Sequence, residues 1–217
     1  MCSEKVIYDK DAWNIYPNHR NLFNKLELSL RLGYLSGPAG IDVPKRGMYC
    51  VRPIYNLNGM GAGSYIQELL EKSDNYIPPG YFWCEFFEGT HYSIDWKYDN
   101  EWKPIFCCIG ERNEDDPLYK FNKWKIADVP YEIDLPNFIK EIDDVKYINT
   151  EFIGNKLIEV HLRKSSDFPE NAKELIPVWE NEKEKFQHLL KDDWNFILNE
   201  DNSSGNLPET RVGFYYR

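Results

Sequence analysis

The sequence has no long apolar run: nowhere among its 217 residues does an uncharged hydrophobic stretch approach the ~18 residues a spanning helix needs. The first residues, MCSEKVIYDK, lack the basic and apolar regions of a secretory signal. Both absences lead to the expectation of a cytoplasmic protein with no membrane partner. Basic residues are in deficit, 26 against 36 acidic, for a formal charge of -10. That balance argues against a nucleic-acid surface spread over the molecule, leaving room only for local basic pockets. The five cysteines, Cys2, Cys50, Cys84, Cys107 and Cys108, form no CxxC pair and no His/Cys group at zinc spacing, so reduced thiols are expected. No serine sits in a GxSxG setting, and neither GxxxxGK[ST] nor GxGxxG occurs.

Aromatic residues are abundant, 16% of the chain with 15 Tyr and 7 Trp, which excludes a disordered chain and suits a strand-rich fold. The central stretch is GMYCVRPIYNLNGMGAG, residues 47–63. Met48 to Ile54 reads as a short strand carrying Arg52 and ending near Pro53. Asn58, Gly59, Gly61 and Gly63 follow, a glycine density that lets backbone N–H groups approach an anion. The same composition also serves a loop for steric reasons alone. Both readings stand at this point.

Residues 1–20 read as an arm, a strand or a packed segment around Trp13, Ile15 and Tyr16. From Asn21, Leu22, Leu26, Ser29 and Leu30 fall at helical spacing, with Gly33 placed to cap the end. Ser64 to Lys72 reads as a short helix capped by Ser64. GYFWCEFFEG is a buried strand, residues 91–110 a hairpin turning at Asp99-Asn100, and Glu111 to Lys125 a polar loop. A helix is expected from Leu135 to Ile142, then a second hairpin, VKYINTEFI and KLIEVHLR, turning at Gly154-Asn155. A last helix starts at Pro177, with Val178, Trp179, Glu182, Phe186, Leu189 and Leu190 as its stripe. Asn199 to Pro208 reads as loop and VGFYYR as a final strand. The expected class is α+β with mainly antiparallel sheet.

In KLIEVHLR, Glu159, His161 and Arg163 alternate, so on a strand all three project from one face while Ile158, Val160 and Leu162 line the other. Such a row is costly to bury without partners. A three-residue turn, Gly154 to Lys156, sets Glu151 opposite Glu159, and the facing carboxylates then call for a cation. A two-residue turn, Gly154-Asn155, shifts the register by one and sends Glu151 to the other face. The plain alternative is an exposed polar hairpin face.

Taken together these segments resemble the ATP-grasp family over residues 20 to 165. The resemblance is carried by Asn24-Lys25, Val51-Arg52-Pro53, the loop from Asn58 to Gly63, CEFFEG at Cys84 to Gly89 with HYSID at His91 to Asp95, and Glu159-Val160-His161-Leu162-Arg163. It implies an ATP- and Mg2+-dependent ligase that activates a carboxylate as an acyl phosphate. It further implies Lys25, Arg52, Asn58, Gly59, Gly61, Gly63, Glu85 and Phe86 around the nucleotide, and Glu151, Glu159 and His161 at the metal. Arg52 would neutralise α/β-phosphate charge, and Arg163 would steady the transferred phosphoryl group or the substrate carboxylate. The acceptor would be a small-molecule carboxylate or a peptide or protein. The implied division is an arm at 1–20, subdomains at 21–80 and 81–165, and a C-terminal helix and tail at 166–217. Three departures stand out: Arg52 replaces the family's lysine, His161 its asparagine, and only 20 residues precede the first helix, where most members carry a further α/β domain. The alternative function is a degenerate domain of this type that binds nucleotide, or nothing, and acts as an interaction module. The net charge alone suggests a third option, a basic partner protein, although segments such as Glu180 to Lys185 mix both signs as a solvated face does.

Overall fold

The computed structural model describes residues 7–72, 75–165, 168–169, 171–182, 184, 186, 193–198, 207 and 209–217. The chain opens with helix α1 (Asp9–Ile15), whose start is held by Tyr8 N donating to Asp11 Oδ2 at 3.1 Å. A 3-10 segment, Pro17–Phe23, is broken at His19 and leads to α2 (Lys25–Arg31). Asn24 caps α2 by accepting from Glu27 N at 2.9 Å, and Gly33 leaves it with φ of +73°, a conformation glycine adopts at no steric cost. The helix is thus shorter than the leucine spacing from Asn21 suggests, because Asn24 competes for the chain there.

Two sheets follow. The smaller has four strands in the order β1-β4-β2-β3: β1 (Ser36–Pro38), β2 (Gly47–Pro53), β3 (Tyr65–Leu69) and β4 (Tyr81–Glu85). The larger has eight, in the order β11-β12-β10-β7-β6-β5-β8-β9. Its members are β5 (His91–Asp99), β6 (Glu101–Glu111), β7 (Lys123–Ile126), β8 (Tyr147–Ile153), β9 (Lys156–His161), β10 (Glu174–Trp179), β11 (Asn195–Leu198) and β12 (Arg211–Tyr216). Helix α3 is the single turn Asn137–Lys140. Every pairing among the described strands is antiparallel.

Each strand of the large sheet splits its side chains by parity. Ile94 and Trp96 of β5, Ile148 and Phe152 of β8, and Leu157 and Val160 of β9, with Leu162 just beyond it, enter the main core. Leu28 of α2, Ile139 of α3 and Ala12 of α1 cover that face. In β2 the same alternation sends Tyr49 and Val51 into a second core with Val43, Leu69 and Trp83, and turns Cys50 and Arg52 toward a cavity between the sheets.

Two segments expected to be helical contain strands, and the second is strand through Trp179 but 3-10 helix at residues 180–182, 184 and 186. Ser64 to Lys72 contains β3, paired with β2 from Gly47↔Leu69 to Val51↔Tyr65, because an open strand edge offers this segment a full ladder of backbone partners. Pro177 lies inside β10, opposite Phe214 of β12, rather than at a helix start. Leu189 and Leu190 fall outside the described residues, as does most of the loop expected from Asn199 to Pro208. The expected loop from Glu111 to Lys125 ends in β7, and the arm contains α1. The two hairpins, the strand at Tyr81 and the final strand are as expected. No described helix is long and apolar enough to cross a membrane. Cys84, Cys107 and Cys108 are free and buried. Cys2 lies outside the described residues.

Candidate functional site

The cavity between the sheets has a volume of about 1110 Å3. Its floor is the polar face of β5, β8 and β9. Cross-strand pairing sets Ser93, Glu151 and Glu159 in one row and Asp95, Asn149 and His161 in the next. The row of Glu159, His161 and Arg163 predicted from alternation is therefore present and faces the cavity. The exposed-face alternative does not hold, since Glu159 is 6% and His161 4% exposed.

The register between β8 and β9 combines features of both alternatives. Ile153 pairs with Lys156, which is the two-residue turn at Gly154-Asn155, yet Glu151 still pairs with Glu159. A bulge between those pairs leaves Ile158 as an extra residue. Leu157 accordingly enters the core, while Ile158 joins Glu159 on the cavity side instead of lining the opposite face.

Charge on this floor is densely paired. The ammonium of Lys25, the first residue of α2, meets the Glu159 carboxylate, and Arg52 Nη2 stands 3.6 Å from Glu159 Oε2. The backbone holds the two cations close, because Lys25 N donates to Ile54 O at 2.9 Å, two residues past Arg52. Burial pushes the Lys25 ammonium well below its ordinary value, and the neighbouring Arg52 charge pushes it the same way. Arg52 Nε is buried without a hydrogen-bond partner among the described residues, an arrangement that a bound anion would relieve.

Glu151 lies between two imidazoles, with His91 Nε2 3.2 Å from its Oε2 and His161 Nε2 3.7 Å from its Oε1. Burial alone would raise its pKa; the bonds to His161 and His91 outweigh burial and hold it well below the usual carboxylate range. His161 Nδ1 in turn lies 3.0 Å from Asp9 Oδ2, and Arg163 grips the same carboxylate through Nε at 2.7 Å and Nη2 at 3.1 Å. Burial disfavours the His161 cation, but Asp9 and Glu151 more than compensate, so its pKa is raised. Asp9 follows the converse logic: burial would raise it, and His161 with Arg163 hold it far below its ordinary value. Donor atoms of Glu151, Glu159 and His161 all lie within 4.8 Å of one another.

The walls come from the other predicted segments. Asn58, Gly59 and Gly61 line the cavity, and Gly59, Met60 and Gly61 all adopt positive φ, at +70°, +58° and +60°. Asn56 shapes this loop by donating from Nδ2 to Gly59 O at 2.8 Å and accepting from Asn58 N at 3.0 Å. Gly63 is not part of the lining; a side chain there would meet Tyr81 Oη at 2.6 Å, so this glycine allows close packing between loop and sheet. Glu85 and Phe86 lie on the lining at the end of β4, with Glu85 Oε1 accepting from Leu35 N at 2.9 Å. Beyond His91 an aromatic wall continues through Phe121 and Trp124, whose rings are 4.4 Å apart.

Asn149 and Asp9 were not singled out from the sequence, and His91, Ser93 and Asp95 entered only within the HYSID segment, without a role of their own. His91, Ser93 and Asp95, and Asn149 two before Glu151, carry the same alternating polar signal as KLIEVHLR, inside strands that are otherwise apolar. Asn149 Nδ2 donates to Ser93 Oγ and to Asp95 Oδ1, both at 2.9 Å, and Ser165 N also donates to Asp95 Oδ1 at 2.9 Å. Burial raises the Asp95 pKa against those bonds. Asp9 carries no such signal, since its role depends on a contact 152 residues away in sequence.

No protein-family model matches the sequence, and no curated protein matches it. Solved structures do. N5-carboxyaminoimidazole synthetase from Staphylococcus aureus is 10% identical with a TM-score of 0.55, covering 90% of this chain and 66% of that one. The same enzyme complexed with ADP gives 11% identity and a TM-score of 0.54, covering 90% of this chain and 67% of that one. The ADP complex of N5-carboxyaminoimidazole ribonucleotide synthetase gives 9% and 0.53, covering 90% and 60%. The chain thus spans 60% to 67% of the length of these structures. The fold of the chain is the ATP-grasp fold.

Proposed function

We propose that the chain binds an adenine nucleotide with a divalent cation in the cavity between the sheets and uses it, as an ATP-grasp ligase does, to activate a carboxylate. One observation carries this reading: Arg52, Glu151, Glu159, His161 and Arg163 line the floor of a cavity whose walls are the glycine loop and the end of β4, with Lys25 paired to Glu159 though not itself on the lining. The residues fit both groups. The buried, unpartnered Arg52 Nε and the left-handed backbone from Gly59 to Gly61 suit phosphate. The Glu151, Glu159 and His161 donors suit a cation. Two of the structural neighbours are complexes with ADP, which supports a nucleotide as the ligand.

A bound divalent cation supplies neutralisation of phosphate charge. The chain's own residues do the rest. Lys25 and Arg52 are paired with Glu159; with nucleotide bound these two cations would turn to phosphate oxygens, and Glu159 would join Glu151 and His161 in holding the cation. The net negative charge of the nucleotide with its cation would replace Glu159 as the partner of Lys25 and Arg52, so no buried ion is stranded. The loop from Asn58 to Gly61 covers the phosphates, and the apolar wall excludes water. A carboxylate oxygen of the substrate attacks the γ-phosphorus, the bond to the β,γ-bridging oxygen breaks and ADP leaves. An amine or similar nucleophile then attacks the acyl carbon, the acyl C–O bond to phosphorus-bound oxygen breaks, phosphate leaves with that electron pair, and the nucleophile's proton passes to phosphate or water. Arg163 steadies the substrate carboxylate or the transferred group, and no protein nucleophile takes part.

Calorimetric titration of ATP and ADP into wild type and Arg52→Met, with and without Mg2+, tests the reading. Metal-dependent binding, weakened about tenfold or more in the variant, is expected; no binding at millimolar nucleotide overturns it.

A second reading, an interaction module without catalysis, is favoured by one feature. Asp9 already occupies the Nε–Nη2 edge of Arg163, where a substrate carboxylate could otherwise be held in bidentate fashion. It predicts that nucleotide binds, if at all, without turnover on any carboxylate, and detection of ADP release dependent on an added carboxylate would exclude it.

A further inference from the structure

The N-terminal helix reaches into the site through one side chain, and that side chain bears on which metal the site takes. Asp9 is 3% exposed and stands at the first turn of α1, which the fully buried Ala12 anchors in the main core. The two hydrogen bonds from Arg163 hold its carboxylate in the plane of the guanidinium. An ionised carboxylate only accepts, so the 3.0 Å contact from Asp9 Oδ2 requires that His161 Nδ1 carry the hydrogen. That leaves Nε2, the atom facing Glu151 Oε1 at 3.7 Å, as the nitrogen whose lone pair can bind a cation. The opposite oxygen of Glu151 is turned to His91, which orients Oε1 inward.

From this arrangement we infer that Asp9 positions His161 as a nitrogen ligand, making a site of two carboxylates and one imidazole that prefers a first-row divalent cation such as Mn2+ to Mg2+. The inference rests on the nucleotide-binding reading above. Donors held ~2.1 Å from one ion stand about 3 Å apart when adjacent and about 4 Å apart when opposite, at octahedral geometry. The three donors here, within 4.8 Å of one another, need only a small contraction to meet that. Mg2+ favours oxygen donors, whereas imidazole nitrogen raises affinity along the first-row series. A carboxylate on the far nitrogen of a ligating histidine fixes its tautomer and makes it a stronger donor. Asp9 is the carboxylate in that place, supplied from the far end of the sequence.

The test uses the full chain with ADP, titrated with Mn2+ and separately with Mg2+, and reads the ratio of the two affinities and the electron spin echo modulation of bound Mn2+. In wild type, Mn2+ is expected to bind at least about tenfold more tightly than Mg2+. Nitrogen modulation is expected that changes when histidine alone is labelled with 15N, which separates imidazole from adenine. Asp9→Asn should weaken Mn2+ by about 10- to 100-fold and Mg2+ far less. His161→Asn, which restores an oxygen donor, should abolish the histidine modulation and bring the ratio toward one; it reads the same quantity should Asp9→Asn not fold. A ratio equal in all three proteins, absence of histidine modulation in wild type, or equal weakening of both metals by Asp9→Asn overturns the inference. If ADP binds with Mg2+ but Mn2+ shows no histidine signature, this inference alone fails. If neither metal supports ADP binding, the nucleotide-binding reading fails with it.

Discussion

Replacing Glu159 by glutamine removes the carboxylate charge that meets two buried cations directly. Lys25 and Glu159 side chains are 4% and 7% exposed and that of Arg52 11%, so water replaces little of the lost interaction. Breaking a buried pair by removing one partner costs about 3–5 kcal/mol. The lysine can shed its proton more cheaply than it can stay charged and unpaired, and its pKa is already depressed, so the lower end applies. For a domain of this size about 2–4 °C of melting temperature is lost per kcal/mol, which gives a fall of roughly 6–12 °C in ligand-free protein. Thermal unfolding followed by circular dichroism reads it. Lys25→Met combined with Glu159→Gln should recover at least about 1 kcal/mol relative to the sum of the single changes, as expected for two groups in direct contact. A melting temperature within about 2 °C of wild type, with additive effects in the double variant, would refute the account of the floor as a mutually neutralised cluster.

Two further outcomes follow from the geometry. His161 has a raised pKa in the folded chain, so its contribution is fully present below the ordinary histidine value of 6.5 and is lost as pH rises through the raised one. Denaturant midpoints from pH 6 upward should therefore fall in wild type and fall less in His161→Asn; parallel profiles would count against the pairing with Asp9 and Glu151. A side chain at Gly110 of β6 would stand 2.6 Å from the Phe121 ring and 2.9 Å from that of Trp124. Gly110→Ala should cost about 1–3 kcal/mol and shift tryptophan fluorescence as the aromatic wall moves, and unchanged stability and emission would contradict that packing.

The chemistry of the site was legible in the sequence wherever it lay along a single strand. Alternation put Glu159, His161 and Arg163 on one face because successive side chains on any strand point opposite ways, whatever the strand packs against. Arg52 ahead of the glycine loop, and the turns at Gly154-Asn155 and Asp99-Asn100, depend on equally local rules. The two segments taken for helices, at Ser64 and Pro177, have apolar spacings compatible with either state. The partner strands β2 and β12 decided between them, and a partner is not a local property.

Tertiary structure alone decided three things. Turn length could not say whether Glu151 faces Glu159, because the bulge at Ile158 undoes the register that the two-residue turn imposes. The packing of α2 against the end of β2 brought Lys25 and Arg52 to one carboxylate, from positions 27 residues apart. The burial of α1 carried Asp9 onto His161 and Arg163 across 152 and 154 residues. Charge and side-chain parity are written residue by residue, so the sequence by itself determined which groups the site contains. Which of them meet is set by where separate elements pack, through contacts that no stretch of sequence holds both sides of.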